Sequence, residues 1–192
     1  MLIAAASSFY RMGEESDRQT GRTVEIMLSE VGQPPDTPWD VAFVYHVGYW
    51  SHYENQGQYS CWPLPATASA EDLGRFAKER NVLVEEPEAG DVFLLWSPRT
   101  KGFANAGIVL HRTGHGLLPN GRPYIRCLTI QGDASRSGAP RGRQTLRITR
   151  DFYVSAGDRF IRWTSLDARI ALSDITAKID MVAGRQVLRR AA

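Results

Sequence analysis

Apolar positions recur at helical spacing through the first half of the chain and at strand spacing through the second. Residues 2–12 read as a short helix or an extended arm, and 13–22 as a polar connection. Residues 23–31 read as a helix closed by Gly32 at C′. After the loop 33–36, Val41, Val44, Tyr45 and Gly48 share one helical face. Phe43, Val47 and Trp50 widen that face until the helix is apolar nearly all round, which predicts burial. Thr37 stands as its N-cap, Pro38 at the first helical position, and Asp40 at N3, where a carboxylate completes a capping box. This helix is expected to end near His52. The aromatic, glycine-containing stretch 53–65 is a loop in which Trp62, beside two prolines, reads as a hydrophobic plug. Ser69 to Asp72 then caps a third helix with Leu73, Phe76 and Ala77 on one face.

Past the turn signal Gly90-Asp91 the period changes. Residues 92–96 are a continuous apolar run, short enough for a buried strand, and 104–111 a second strand. A glycine-rich hairpin loop, 113–121, leads to a third over 124–130. Residues 146–149 and 159–163 supply two more, the last with clean alternation. Helices followed by an antiparallel sheet define an α+β order. The final stretch, 164–192, carries Leu166, Ile170, Leu172, Ile175, Ile179, Met181 and Val182 at loosely helical spacing and reads as a helical extension.

Composition narrows the function classes only slightly. A chain of 192 residues with 43% hydrophobic and 23% charged residues is ordinary for one globular domain. A net charge of +2 does not by itself argue for a nucleic acid or membrane partner. Cys61 and Cys127 give neither a disulfide framework nor metal-ligand spacing, which fits a reduced, cytoplasmic setting. The N-terminal apolar run lacks a basic flank and stops too early for a signal peptide, and no run is long enough for a transmembrane segment.

Four stretches, in this order and spacing, resemble the papain-like amidohydrolases of the CHAP and NlpC/P60 group, which cut peptidoglycan amide bonds. They are Pro38-Trp39-Asp40-Val41-Ala42-Phe43-Val44, Glu88-Ala89-Gly90-Asp91-Val92-Phe93, Ala104-Asn105-Ala106-Gly107-Ile108-Val109 and Thr129-Ile130-Gln131-Gly132-Asp133. The resemblance implies a papain-like α+β domain over 23–163, flanked by an arm, 1–22, and a tail, 164–192. It also implies a cysteine at the start of the central helix, a histidine opening the Gly-Ile-Val strand, and a Glu and an Asn on the next strand to orient the imidazole. That chemistry needs a thiolate to attack the carbonyl, a base near neutral pKa, and a group that fixes the tautomer.

This chain places Asp40 at the cysteine position, Asn105 at the histidine position, and Gln131 and Asp133 at the orienting positions. Aspartate is a poor nucleophile toward an amide, and an asparagine side chain accepts no proton near neutral pH. Loss of either partner removes most triad catalysis. The expected function is therefore a catalytically inactive CHAP-like domain that serves as a binding or structural subunit of a protein assembly. It would need no cofactor and no metal, and would be cytoplasmic or peripheral on a larger complex. The alternative is a peptidoglycan hydrolase with a rearranged site.

Three chemistries could serve such a site. Cys61 could pair with His46 or His52, although a small buried thiol and partly exposed histidines are the plainer reading. Asp40 and Asp133 could act as acid and base on a glycosidic bond, or join Asn105 and Gln131 around a hard cation, although a cap residue and a turn residue are again plainer. A groove walled by Trp39, Trp50 and Trp62 could hold a peptide or a peptidoglycan fragment. The basic run Arg136, Arg141, Arg143, Arg147 and Arg150 reads as a solvated face with no nucleic-acid-binding motif beside it. His111 and His115 flank a turn and lack the helix that would aim both at one metal.

Overall fold

The computed structural model describes residues 2–8, 21–56, 62–134 and 144–166. Residues 135–143 and the predicted tail beyond residue 166, with Cys61, Arg136, Arg141 and Arg143, lie outside the described residues. Among the described residues the architecture is α+β: four α-helices and an open, antiparallel six-stranded sheet.

The helices are α1 (Leu2–Ser8), α2 (Arg22–Glu30), α3 (Asp40–Gln56) and α4 (Ala70–Glu79). Gly32, with φ +68°, ends α2 as its position predicts, and the Gln33 N–H donates back to the Leu28 carbonyl at 2.9 Å. Ser69 caps α4 by accepting from the Asp72 N–H at 3.1 Å. The start of α3 differs from the expected capping box. Thr37 donates its hydroxyl backward to the Pro34 carbonyl at 2.9 Å, and the first helical bond runs from the Phe43 N–H to the Trp39 carbonyl. The physical cause is Trp39, 1% exposed, which the core holds at the helix entry, so the helix begins at Asp40.

The strands are β1 (Leu83–Val84), β2 (Val92–Ser97), β3 (Gly102–Leu117), β4 (Pro123–Ala134), β5 (Gln144–Phe152) and β6 (Arg159–Ile161), ordered β1-β6-β2-β3-β4-β5. The β3–β4 hairpin is longer than expected, because two register shifts carry the pairing out to Leu117↔Pro123. Alternation sorts side chains onto two faces. Val92, Leu94, Ala106, Ile108, Leu110 and Ile130 pack with the helices, where Leu2 and Ala6 of α1 join the same core. Phe93, Val109, Ile125, Cys127, Phe152 and Phe160 form a second cluster on the other face.

That second face is closed by curvature of the sheet. Three strands separate β5 from β6, so in a flat sheet they would lie roughly 19 Å apart at about 4.8 Å per strand. Yet the rings of Phe152 and Phe160 are 4.9 Å apart, and Phe152 is 5.3 Å from Phe93. The sheet is thus rolled around an aromatic centre. Buried Asp158 fixes the β5–β6 connection by accepting from the Trp96 N–H at 2.9 Å and the Tyr153 N–H at 2.8 Å. Asp91, of the Gly-Asp turn, binds Arg162 at 3.0 Å and the Glu88 N–H at 2.8 Å, which ties β2 to the chain beyond β6.

Candidate functional site

The start of α3 abuts the β3–β4 region. A Cβ on Gly132 would stand 2.6 Å from the Trp39 ring and 2.8 Å from Phe43 Cβ, so a glycine is required for β4 to lie against the helix. Asp40 follows Trp39 and is 3% exposed. Its Oδ2 accepts from the Ala106 N–H of β3 at 2.7 Å and from the Asn105 amide at 3.4 Å. The capping role expected of Asp40 is thus replaced by a cross-link between helix and strand. Burial pushes its carboxyl up to about 6; the hydrogen bonds from Ala106, Val41 and Asn105 oppose that rise.

Asp40 and Asn105 therefore meet, as their positions in the resembled family imply. Gln131 has a different partner. It is buried on the aromatic side of the sheet, where its Oε1 accepts from Arg150 at 2.7 Å. The Arg150 guanidinium also lies 5.7 Å from the Phe93 ring centroid, and burial lowers its pKa. Asp133 is half-buried at φ +50° in an irregularity that sets Gln131 opposite Leu146 and Ala134 opposite Gln144. The strand carries one extra residue there, and the left-handed geometry interrupts the alternation.

The three tryptophans lie in separate surroundings. Trp39 packs on Gly132. Trp62 is 6% exposed, a plug, with its ring on Gly48 and 4.8 Å from Trp163. Trp50 is 40% exposed. Its indole N–H donates to Glu30 Oε1 at 3.1 Å, while Glu30 Oε2 meets His46 Nδ1 at 2.7 Å. Tyr49 stands edge-on to Trp50 at 5.8 Å and stacks on Tyr45 at 6.1 Å.

Sequence reasoning missed two groupings. Arg150 was assigned to a solvated face, yet it shares the parity of Leu146, Ile148 and Phe152, and that alternation was the available signal for an inward cation. The Glu30–His46–Trp50 cluster joins α2 to α3 and carries no local motif. His111 and His115 are exposed on β3, and among the described residues no three His, Cys, Asp or Glu side chains gather as metal ligands would. Cys127 is buried, and desolvation pushes its thiol up to about 11, which disqualifies it as a nucleophile near neutral pH.

Among the described residues, two cavities are lined in part by Arg159. One, about 540 Å³, lies between α4 and the β2–β3 hairpin; the other, about 500 Å³, opens beside Tyr124 and Phe152 where the sheet curls. Comparison with known proteins finds no matching family model, no matching curated protein and no matching solved structure.

Proposed function

We propose that this chain is a catalytically inactive domain of the CHAP or NlpC/P60 type that works as a binding or structural subunit of a protein assembly. The observation that carries this reading is the state of Asp40. The side chain at the expected nucleophile position is buried, and its oxygen is held by a backbone N–H and an amide. A nucleophile needs an exposed, deprotonated atom with a base in reach. Here the neighbouring side chain is Asn105, which donates a hydrogen bond and takes no proton. Gln131 is committed to Arg150 instead of orienting an imidazole.

The face around Trp50, Tyr49 and Tyr45 is the docking candidate, since aromatic side chains held by hydrogen bonds are common anchors at interfaces. A cytoplasmic location, or a peripheral one on a larger complex, goes with this reading. No described helix is long and apolar enough to cross a membrane. The test is isolation of the chain from its native source under mild conditions, with partners identified and copy number counted. A stable complex of fixed stoichiometry that is lost in Trp50→Ala is the expected result. Recovery as a free monomer would contradict it.

One observation favours a second reading, a peptidoglycan hydrolase with a rearranged site. A carboxyl raised to about 6 can serve as a general acid near neutral pH. On that reading Asp40 or Asp133 is indispensable to turnover, and peptidoglycan fragments are the ligand.

A further inference from the structure

The groove between α4 and the β2–β3 hairpin lies outside the Asp40 region and is independent of the function proposed for it. We propose that this groove binds a small ligand with a flat apolar ring and an anionic group, of which an aromatic carboxylate is the simplest case.

Its volume, about 540 Å³, falls in the range of small-ligand pockets. Trp96 and Phe103 line it, both half-buried, with ring centroids 5.6 Å apart and planes at 86°. An edge-to-face pair of this kind can take a third ring against the face left open.

Both rings are seated directly on backbone. A Cβ on Gly74 would stand 2.3 Å from Phe103, and one on Gly157 2.7 Å from Trp96. Gly157 also has φ +111°, a conformation unfavourable to any other residue. The aromatic floor is therefore fixed before a ligand arrives, which reduces the ordering cost of binding.

The charges on the walls select the sign of the ligand. Arg75, Lys78 and Arg159 line the groove with a single acid, Glu71, whose Oε2 is taken by the Phe103 N–H at 2.7 Å. Arg75 pairs with Asp72 at 2.6 Å and Arg159 approaches Glu85 at 3.4 Å, and neither of those acids lines the groove. Lys78 makes no ion pair among the described residues. A cationic wall over an aromatic floor matches a ring that bears a carboxylate.

The test is a titration of the ¹⁵N-labelled full chain with 2-naphthoate, followed at the Trp96 indole N–H, assigned with Trp96→Phe, and at the amides of Gly74, Phe103 and Gly157. Saturable shifts confined to these signals are expected. The neutral 2-naphthylmethanol and the cationic 2-naphthylmethylammonium should each bind about five-fold more weakly or worse, the size of an exposed charge interaction. Lys78→Glu, which also reverses a charge in the last turn of α4, should weaken 2-naphthoate binding by at least about the same factor while lowering the thermal midpoint by no more than about 4 °C, and Lys78→Arg should keep wild-type affinity. Absence of saturable shifts, shifts spread outside the groove, equal affinity for the charged and neutral probes, or indifference to Lys78→Glu would overturn the proposal.

Discussion

Asp40 is a carboxyl whose hydrogen-bond partners sit on another element, and this determines what its removal should do. In Asp40→Ala the buried Ala106 N–H loses its acceptor, a loss that costs about 1–3 kcal/mol. Asp40→Asn keeps a side-chain oxygen for that N–H and removes the buried charge. The folded-state pKa of about 6 lies above the ordinary 3.8, so the folded protein holds this proton more tightly than the unfolded chain does. The stability linked to it is complete below about pH 4 and is lost as pH rises through 6, by up to about 3 kcal/mol. Urea unfolding from pH 4 to 8 should therefore show this decline in the wild type and a flatter profile in Asp40→Asn. Asp40→Ala should be less stable than Asp40→Asn throughout. If the profiles of the wild type and Asp40→Asn coincide, Asp40 is not titrating as a buried carboxyl.

At the level of elements, the contact between α3 and β4 depends on a missing side chain. Gly132→Ala would drive a methyl group into Trp39 and Phe43 Cβ, which predicts a loss of about 1–3 kcal/mol by overpacking. Gly114→Ala, on β3 with open space at its Cβ, is the control and should change stability by no more than about 0.5 kcal/mol. Equal unfolding midpoints for the two variants would show that the helix does not press on β4 as described. Element types were legible because periodicity and caps act locally: Gly32 ends α2, Ser69 starts α4, and the apolar run at 92–96 is a strand. The start of α3 was misread because Thr37-Pro38 satisfies every local rule for a cap, while burial of Trp39 overrides them from across the core. β1 pairs with β6 through Leu83↔Ile161 and Val84↔Phe160, and two residues carry no period that a sequence could reveal.

The whole molecule combines a helical layer with a sheet rolled around its own aromatic side, and this arrangement was only partly legible. Strand type was legible, but the two faces were not: the continuous apolar run of β2 marks neither side, and in β6 adjacent Phe160 and Ile161 are both buried, on opposite faces, where a polar–apolar alternation was expected. No local pattern says that Phe152 and Phe160, on strands far apart in the sheet order, will meet. The candidate site follows the same division. The encounter of Asp40 with Asn105 was implied by family-like words in sequence order, whereas the Gln131–Arg150 bond depends on which face β5 turns inward. The aromatic groove beside α4 has no motif at all, because its residues come from α4, β1, β2, β3, β6 and the turn at Gly157.

The central claim is that this arrangement is catalytically silent. The most direct test is incubation of purified full-length protein with purified peptidoglycan, with and without added thiol, following release of free amino groups and of reducing ends. Asp40→Asn, Asp133→Asn and Cys61→Ala are assayed beside the wild type. The account predicts no release above buffer for any of the four proteins. Release by the wild type that disappears in Asp40→Asn or Asp133→Asn, or thiol-dependent release that disappears in Cys61→Ala, would contradict it.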